Sequence, residues 1–225
     1  MPSFNTYALP RLVLASASPR RLELLERFYP PERITVIVPA YDELPLMNTT
    51  NNDSVSEPTD LACQLAAGKL AALLEQNELP AEALVIAADT IVTIDGKMLG
   101  KPETGREAAD MLQLLSNRTH KVVTGLAIQI RSGGSVKQKN VAETTEVTFG
   151  RLDEAMTEWY LASGEPFDKA GAYGIQGLGA AFVKGINGCY YNVMGLPVHR
   201  LFVELKEMAA TTGSVQMRSF ILPFA

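Results

Sequence analysis

The segment Leu12-Val13-Leu14-Ala15-Ser16-Ala17-Ser18-Pro19-Arg20-Arg21 passes from an apolar run to a helical pattern (Leu22, Leu24, Leu25, Phe28) with only small residues between. So abrupt a change of period predicts a strand, a tight turn and a helix. Ser18 suits the N-cap, and Pro19 the first helical position, where its missing N–H would be unpaired anyway. The helix start leaves backbone N–H groups free to meet an anion, and Arg20 and Arg21 add forked donors that match phosphate oxygens. A phosphate-bearing ligand is the first functional expectation. Ser-Pro also opens many ordinary helices, and an Arg pair is often a solvated face.

Further along, Ile34 to Val38 is β-branched and predicts a second strand, followed by a polar loop from Pro45 to Glu57. Pro58-Thr59-Asp60 opens a helix that ends before Pro80, with Leu61, Leu65, Leu70, Leu73 and Leu74 on its apolar side. Leu84 to Ile94 predicts an apolar strand interrupted by Asp89-Thr90. Thr104-Gly105-Arg106-Glu107 is a capping box for the helix behind it. Lys121 to Ile130 and Val141 to Phe149 predict a hairpin around Ser132-Gly133-Gly134-Ser135. A helix from Asp153 to Ala162 stops at Ser163-Gly164. Ala180 to Gly185 and Cys189 to Val193 read as paired strands around the Asn187-Gly188 turn. Val198 to Ala209 predicts a last helix, and the tail with Phe220-Ile221-Leu222 either docks or lies loose. Early alternation of strand and helix with a central hairpin predicts an α/β fold with a mixed sheet.

At 225 residues the chain fits one large domain or two tightly joined lobes. A net charge of −5 argues against a broad basic surface for nucleic acid, so any anion site is local. Cys63 and Cys189 stand far apart, outside any metal-ligand spacing, which fits a reducing cytoplasm. Neither a signal peptide nor a membrane-spanning apolar run is read.

Asp89 stands inside Val85-Ile86-Ala87-Ala88-Asp89-Thr90-Ile91-Val92, where a buried charge needs a cation, a metal or a substrate; a backbone turn or one lysine partner would also account for it. Thr90 is either a β-former or a hydroxyl aimed at a ligand. Lys69, Lys101 and Lys169, taken singly, read as surface or helix-end cations, and gain meaning only if the fold gathers them. In Asp168-Lys169-Ala170-Gly171-Ala172-Tyr173-Gly174-Ile175-Gln176-Gly177, the glycines permit positive φ and close approach to a ligand. Gln176 offers the donor and acceptor that suit a base edge. His120 and His199 are isolated, and neither a zinc motif nor a Walker loop occurs.

Taken together, Ser16-Ala17-Ser18-Pro19-Arg20-Arg21, Ala88-Asp89-Thr90, Lys101-Pro102, the glycine-rich segment 168–177 and Gly188-Cys189-Tyr190-Tyr191-Asn192-Val193-Met194-Gly195-Leu196-Pro197 resemble the motifs of the Maf family of nucleoside triphosphate pyrophosphatases. The resemblance covers about Leu12 to Leu205. It implies an elongated mixed β-sheet flanked by helices, in two lobes with a central cleft, like the inosine triphosphate pyrophosphatases. A domain is expected over residues 11–206, with a tail of no assigned role over 207–225. The form of the segment 168–177 places the chain in the dTTP- and UTP-preferring branch rather than the sister branch that prefers 7-methyl-GTP. By the same resemblance Asp89 is the general base, assisted by Lys69 and Lys101. Ser18, Arg21 and Lys169 line the phosphate site, while Arg20, Thr90 and Gln176 select the base. Asp89 with Glu43 would hold Mg²⁺ or Mn²⁺, although the segment Val38-Pro39-Ala40-Tyr41-Asp42-Glu43 departs from the family pattern. The chemistry is coherent: cations and a hard metal offset the charge growing on a pyrophosphate leaving group, and a carboxylate takes the proton of the attacking water. Partners implied are the nucleotide and a second copy of the chain, with no nucleic acid and no membrane. The task implied is removal of non-standard nucleotides. The competing expectation is a regulator of cell division that senses nucleotide without turnover.

Overall fold

The computed structural model describes residues 10–43 and 57–222. Apart from Glu57, the polar loop expected at 45–57 lies almost wholly outside them. The described elements are β1 (Arg11–Ala15), α1 (Pro19–Glu26), β2 (Ile34–Val36), α2 (Pro58–Gln76), β3 (Ala83–Ile94), β4 (Lys97–Leu99), α3 (Gly105–Leu115), β5 (Thr119–Ser132), β6 (Ser135–Phe149), α4 (Glu154–Ala162), β7 (Val183–Asn187), α5 (Tyr190–Val193), α6 (Val198–Ala209) and α7 (Val215–Ile221). Seven strands form one open sheet in the order β2-β1-β3-β5-β6-β7, with β4 paired to β3. The β1 pairings with β2 and β3 are parallel and the others antiparallel, so the sheet is mixed.

β3 is apolar because both of its faces are covered. Leu84, Ile86, Ala88 and Val92 pack with Leu12, Leu14, Leu24 and Leu112 on one side. Val85 and Ala87 meet Leu70 and Leu73 of α2 on the other, as a period of two requires. α2 lies hard against β5: a Cβ built on Gly125 would fall 2.0 Å from the Ala62 carbonyl oxygen. The β5–β6 hairpin closes through Gly133 and Gly134 at φ +58° and +77°, the two-residue turn that right-twisted strands favour.

Two expectations change, and one left open is decided. β2 ends at Val36 rather than Val38: Ile37 makes a last bond from its N–H to the Leu14 carbonyl (3.0 Å), and Pro39 cannot donate. Val183–Asn187 is a strand, but it pairs with β6, and Tyr190–Val193 is a helical turn, so Asn187-Gly188 joins a strand to a helix instead of closing a hairpin. The cause is Thr145. Its hydroxyl donates to the Cys189 carbonyl (3.1 Å) and accepts from Cys189 N–H and Asn192 Nδ2 (both 3.0 Å), satisfying groups that a strand partner would otherwise have taken. Finally, the tail docks. α6 continues past residue 206, and α7 buries Met217, Phe220 and Ile221, with the Tyr29 hydroxyl donating to the Ile221 carbonyl (3.0 Å).

Candidate active site

A gap in the sheet creates the site. β1 follows β3 only as far as Ala87, and β4 joins the same edge only from Val92. Among the described residues no strand therefore lies beside 88–91 on that edge, and a cleft of about 690 Å³ opens there, within the range of small-molecule sites. Asp89 and Thr90 stand in the gap and point to opposite faces of the sheet.

On the α2 face, the Asp89 side chain is 11% exposed and its carboxylate pairs with the Lys69 ammonium. The same ammonium meets Glu43 Oε1 at 2.7 Å. Glu43 is delivered by the segment 37–43, which straps antiparallel along α2. Gln76 accepts from Ala40 N–H (3.0 Å) and donates to the Ala40 carbonyl (2.9 Å). Tyr41 lies on Gly68, where an added Cβ would fall 2.2 Å from the tyrosine oxygen. Between Lys69 and Gln76 the helix rises about 10 Å, which an extended chain covers from Ala40 to Glu43. The matched spacing sets two carboxylates on one cation.

The opposite face holds the arginines. Arg21 is buried, with its Nε donating to the Gly195 carbonyl (2.8 Å), Nη1 to Ser16 Oγ (2.8 Å) and Nη2 to Thr90 Oγ1 (3.0 Å). Burial lowers its pKa, and the Asp89 charge opposes that shift. A buried guanidinium whose bonds go to neutral acceptors keeps an attraction for an incoming anion. Ser18 occupies the N-cap of α1, but its hydroxyl makes no capping bond. Its N–H turns back to Ser16 Oγ (3.2 Å) instead. Arg20 bridges to Asp168 (2.9 Å) and so ties α1 to the glycine-rich loop. Burial opposes ionisation of Asp168, yet the bonds from Lys169 and Arg20 hold its carboxyl below the usual value.

In that loop two of the three glycines serve a different purpose from the one expected. Of the three glycines only Gly171 has positive φ (+69°), followed by Ala172 at +60°; it faces Val92, and its N–H donates to the Gly100 carbonyl (3.0 Å) beside Lys101. Gly174 and Gly177 make room for the protein's own side chains. A Cβ at Gly174 would meet Lys169 Cε at 2.6 Å, and one at Gly177 would meet Glu165 Oε1 at 2.3 Å. Glu165 accepts from Leu178 N–H (2.8 Å) and the Tyr160 hydroxyl (3.1 Å), and Lys169 donates to the Glu165 carbonyl (2.7 Å). Behind the loop, Tyr173 is held by a 2.8 Å bond to His120, whose burial lowers its pKa to about 4.

Ser18, Arg20, Arg21, Glu43, Lys69, Asp89, Thr90, Lys101, Lys169 and Gln176 all line this one cleft. Lys101 and Gln176 are exposed, and no ion pair occupies Lys101 among the described residues. Sequence reasoning missed Tyr41, Gly68, Gln76, Thr124, Asn192 and Glu165. Only Gly68, an exception inside a helical run, carried a signal. Among the described residues no group of three or more His, Cys, Asp or Glu side chains could enclose a metal ion. The two carboxylates that share Lys69 nonetheless fit a hard divalent ion of the kind that takes its remaining ligands from phosphate oxygens and water.

The mixed α/β sheet thus opens at one edge of β3, with carboxylates on one face of the opening and arginines on the other. The chain belongs to the Maf family: it matches the family model for Maf-like protein over residues 11–208. It is 46% identical over 201 residues to a dTTP/UTP pyrophosphatase of Bacillus cytotoxicus, spanning 88% of this chain and 96% of that protein. A dTTP/UTP pyrophosphatase of Bacillus cereus is also 46% identical, over 199 residues, with 88% and 95% covered.

Proposed function

We propose that the protein hydrolyses dTTP and UTP to the monophosphate and pyrophosphate, using the cleft at the open edge of β3. The observation that carries this reading is the convergence of Asp89, Glu43 and Lys69 on one face of the gap with Arg20 and Arg21 on the other. The length and similarity of the match to the Bacillus pyrophosphatases supports the same activity.

Lys69 engages one oxygen of Asp89, leaving the other to accept the proton of a water directed at the α-phosphorus. Arg21, Lys101 and Lys169 offset the charge that develops on the departing pyrophosphate, and Ser18 adds polar contacts at the start of α1. Asp89 and Glu43 would hold Mg²⁺ or Mn²⁺, which supplies further charge neutralisation. Gln176, Arg20 and Thr90 face the base. Thr124 Oγ1 bonds to the Asn192 carbonyl (3.0 Å), a group that only accepts, so its single proton is spent there. The 3.0 Å Thr90–Thr124 contact then takes the Thr90 proton, and Thr90 can only accept from a ligand. An acceptor suits the imide N3–H that thymine and uracil share and cytosine lacks.

The protein acts in this reading as a cytoplasmic homodimer. Two unpaired thiols, Cys63 and Cys189, accord with a reducing compartment, and none of the described helices is long and apolar enough to cross a membrane. The test is a panel of common and methylated nucleoside triphosphates assayed for pyrophosphate with Mg²⁺ and with Mn²⁺. Fastest turnover of dTTP and UTP supports the reading, and nucleotide binding without pyrophosphate release overturns it.

A further inference from the structure

We infer that Thr124, buried behind the cleft, is a specificity-determining residue that acts by fixing which way the Thr90 hydroxyl points. The inference rests on the dTTP and UTP reading and names the device behind the choice of base.

The argument is one of proton counting along a buried chain. Arg21 Nη2 only donates, so Thr90 Oγ1 accepts from it at 3.0 Å. The Asn192 backbone carbonyl only accepts, so Thr124 donates to it at 3.0 Å. Between these fixed ends the Thr90–Thr124 contact has one arrangement that satisfies every member: Thr90 donates and Thr124 accepts. Thr124 and Asn192 are both fully buried, so no water competes for the bond between them, and the donor end of the chain is fixed from within. Asn192 is itself anchored, its Nδ2 donating to the Val122 carbonyl and to Thr145 Oγ1 (both 3.0 Å). The chain therefore runs from the cleft along one face of the sheet, across β5 to β6, with its polarity set at each end.

Thr90 is left with one free lone pair and no free proton on the face that also carries the glycine-rich loop, where Gly171 sits on Val92. A ring with an N–H at that edge gains a bond there. One presenting a lone pair, as cytosine does at N3, meets another lone pair and loses its hydration unrewarded. Thr124 touches no ligand in this account: it is absent from the lining of the cleft.

Thr124→Val removes the acceptor and frees the Thr90 proton to turn toward the cleft. The ratio of kcat/KM for UTP over CTP should fall about ten-fold, the worth of one hydrogen bond, chiefly through a lower KM for CTP. Thr124→Ser keeps the hydroxyl and should keep the ratio. A merely structural role lowers both substrates together, so an unchanged ratio in Thr124→Val overturns the inference. Should that variant fail to fold, Thr124→Ala carries the same test with a smaller side chain. Failure of the dTTP and UTP reading is separately visible, because the unaltered protein would then not favour UTP at all.

Discussion

Replacing His120 with Gln tests how the glycine-rich loop is held. His120 is 2% exposed, bonded through Nε2 to the Tyr173 hydroxyl and set edge-on to Phe149 at 5.0 Å between ring centres. Burial lowers its pKa from 6.5 to about 4. The sign follows directly. Between those values the unfolded chain binds a proton that the folded chain refuses, so stability is full above pH 6.5 and falls as pH drops toward 4. From pH 7.5 to pH 5 the loss attributable to this ring is about 2 kcal/mol. Gln reaches Tyr173 with an amide that does not titrate, so the variant is expected to lose about 2 kcal/mol less than the parent over that interval, other groups cancelling in the difference. Urea unfolding of both proteins at half-unit pH steps reads this out. Parallel stability curves would refute the burial argument. A difference between the two curves that shifts by about 2 kcal/mol in the variant's favour on acidification supports it.

Three further outcomes are expected. Asp89→Asn leaves Lys69 paired with Glu43, so the fold should persist while kcat falls about 10²–10⁴-fold, measured as pyrophosphate release alongside a thermal melt; full activity would remove Asp89 from the proton transfer. Gln176→Ala should erode discrimination between uracil and purine triphosphates by about ten-fold without changing the Mg²⁺ concentration that gives half-maximal rate, and an unaltered nucleotide profile contradicts it. Gly68→Ala adds helix propensity worth about 1 kcal/mol but displaces Tyr41 and with it Glu43, so activity should fall while the melting temperature holds. Adding Tyr41→Val should restore turnover, and a double variant no better than the single one opposes the strap argument.

Much of this architecture was legible because local chemistry and global fold agree. The alternation of β1, α1 and β3, the Gly133-Gly134 turn and the Asp153 cap all state their structure in a few adjacent residues. Asp89 stood out as a charge inside an apolar strand, whereas Arg20 and Lys169, ordinary surface cations when taken singly, gained their meaning from the motifs they share with the Maf family. What stayed hidden depends on pairings distant in sequence. Nothing near Cys189 reveals that Thr145 would satisfy its backbone and coil the segment into α5. Likewise Gly174 and Gly177 advertise backbone freedom, while the fold uses them as clearance for Lys169 and Glu165. Thr124 reads as one more β-branched strand residue until Thr90 and Asn192 are seen on either side of it.

Hydrolysis of dTTP in water enriched in ¹⁸O examines the chemistry at the β3 gap most directly. A water activated by Asp89 and aimed at the α-phosphorus places the heavy oxygen in dTMP, with unlabelled pyrophosphate released in equal amount, as mass spectrometry of the products would record. Label recovered in pyrophosphate or orthophosphate would mean that attack occurs at another phosphorus, and the placement of base, cations and leaving group derived from this cleft would be wrong.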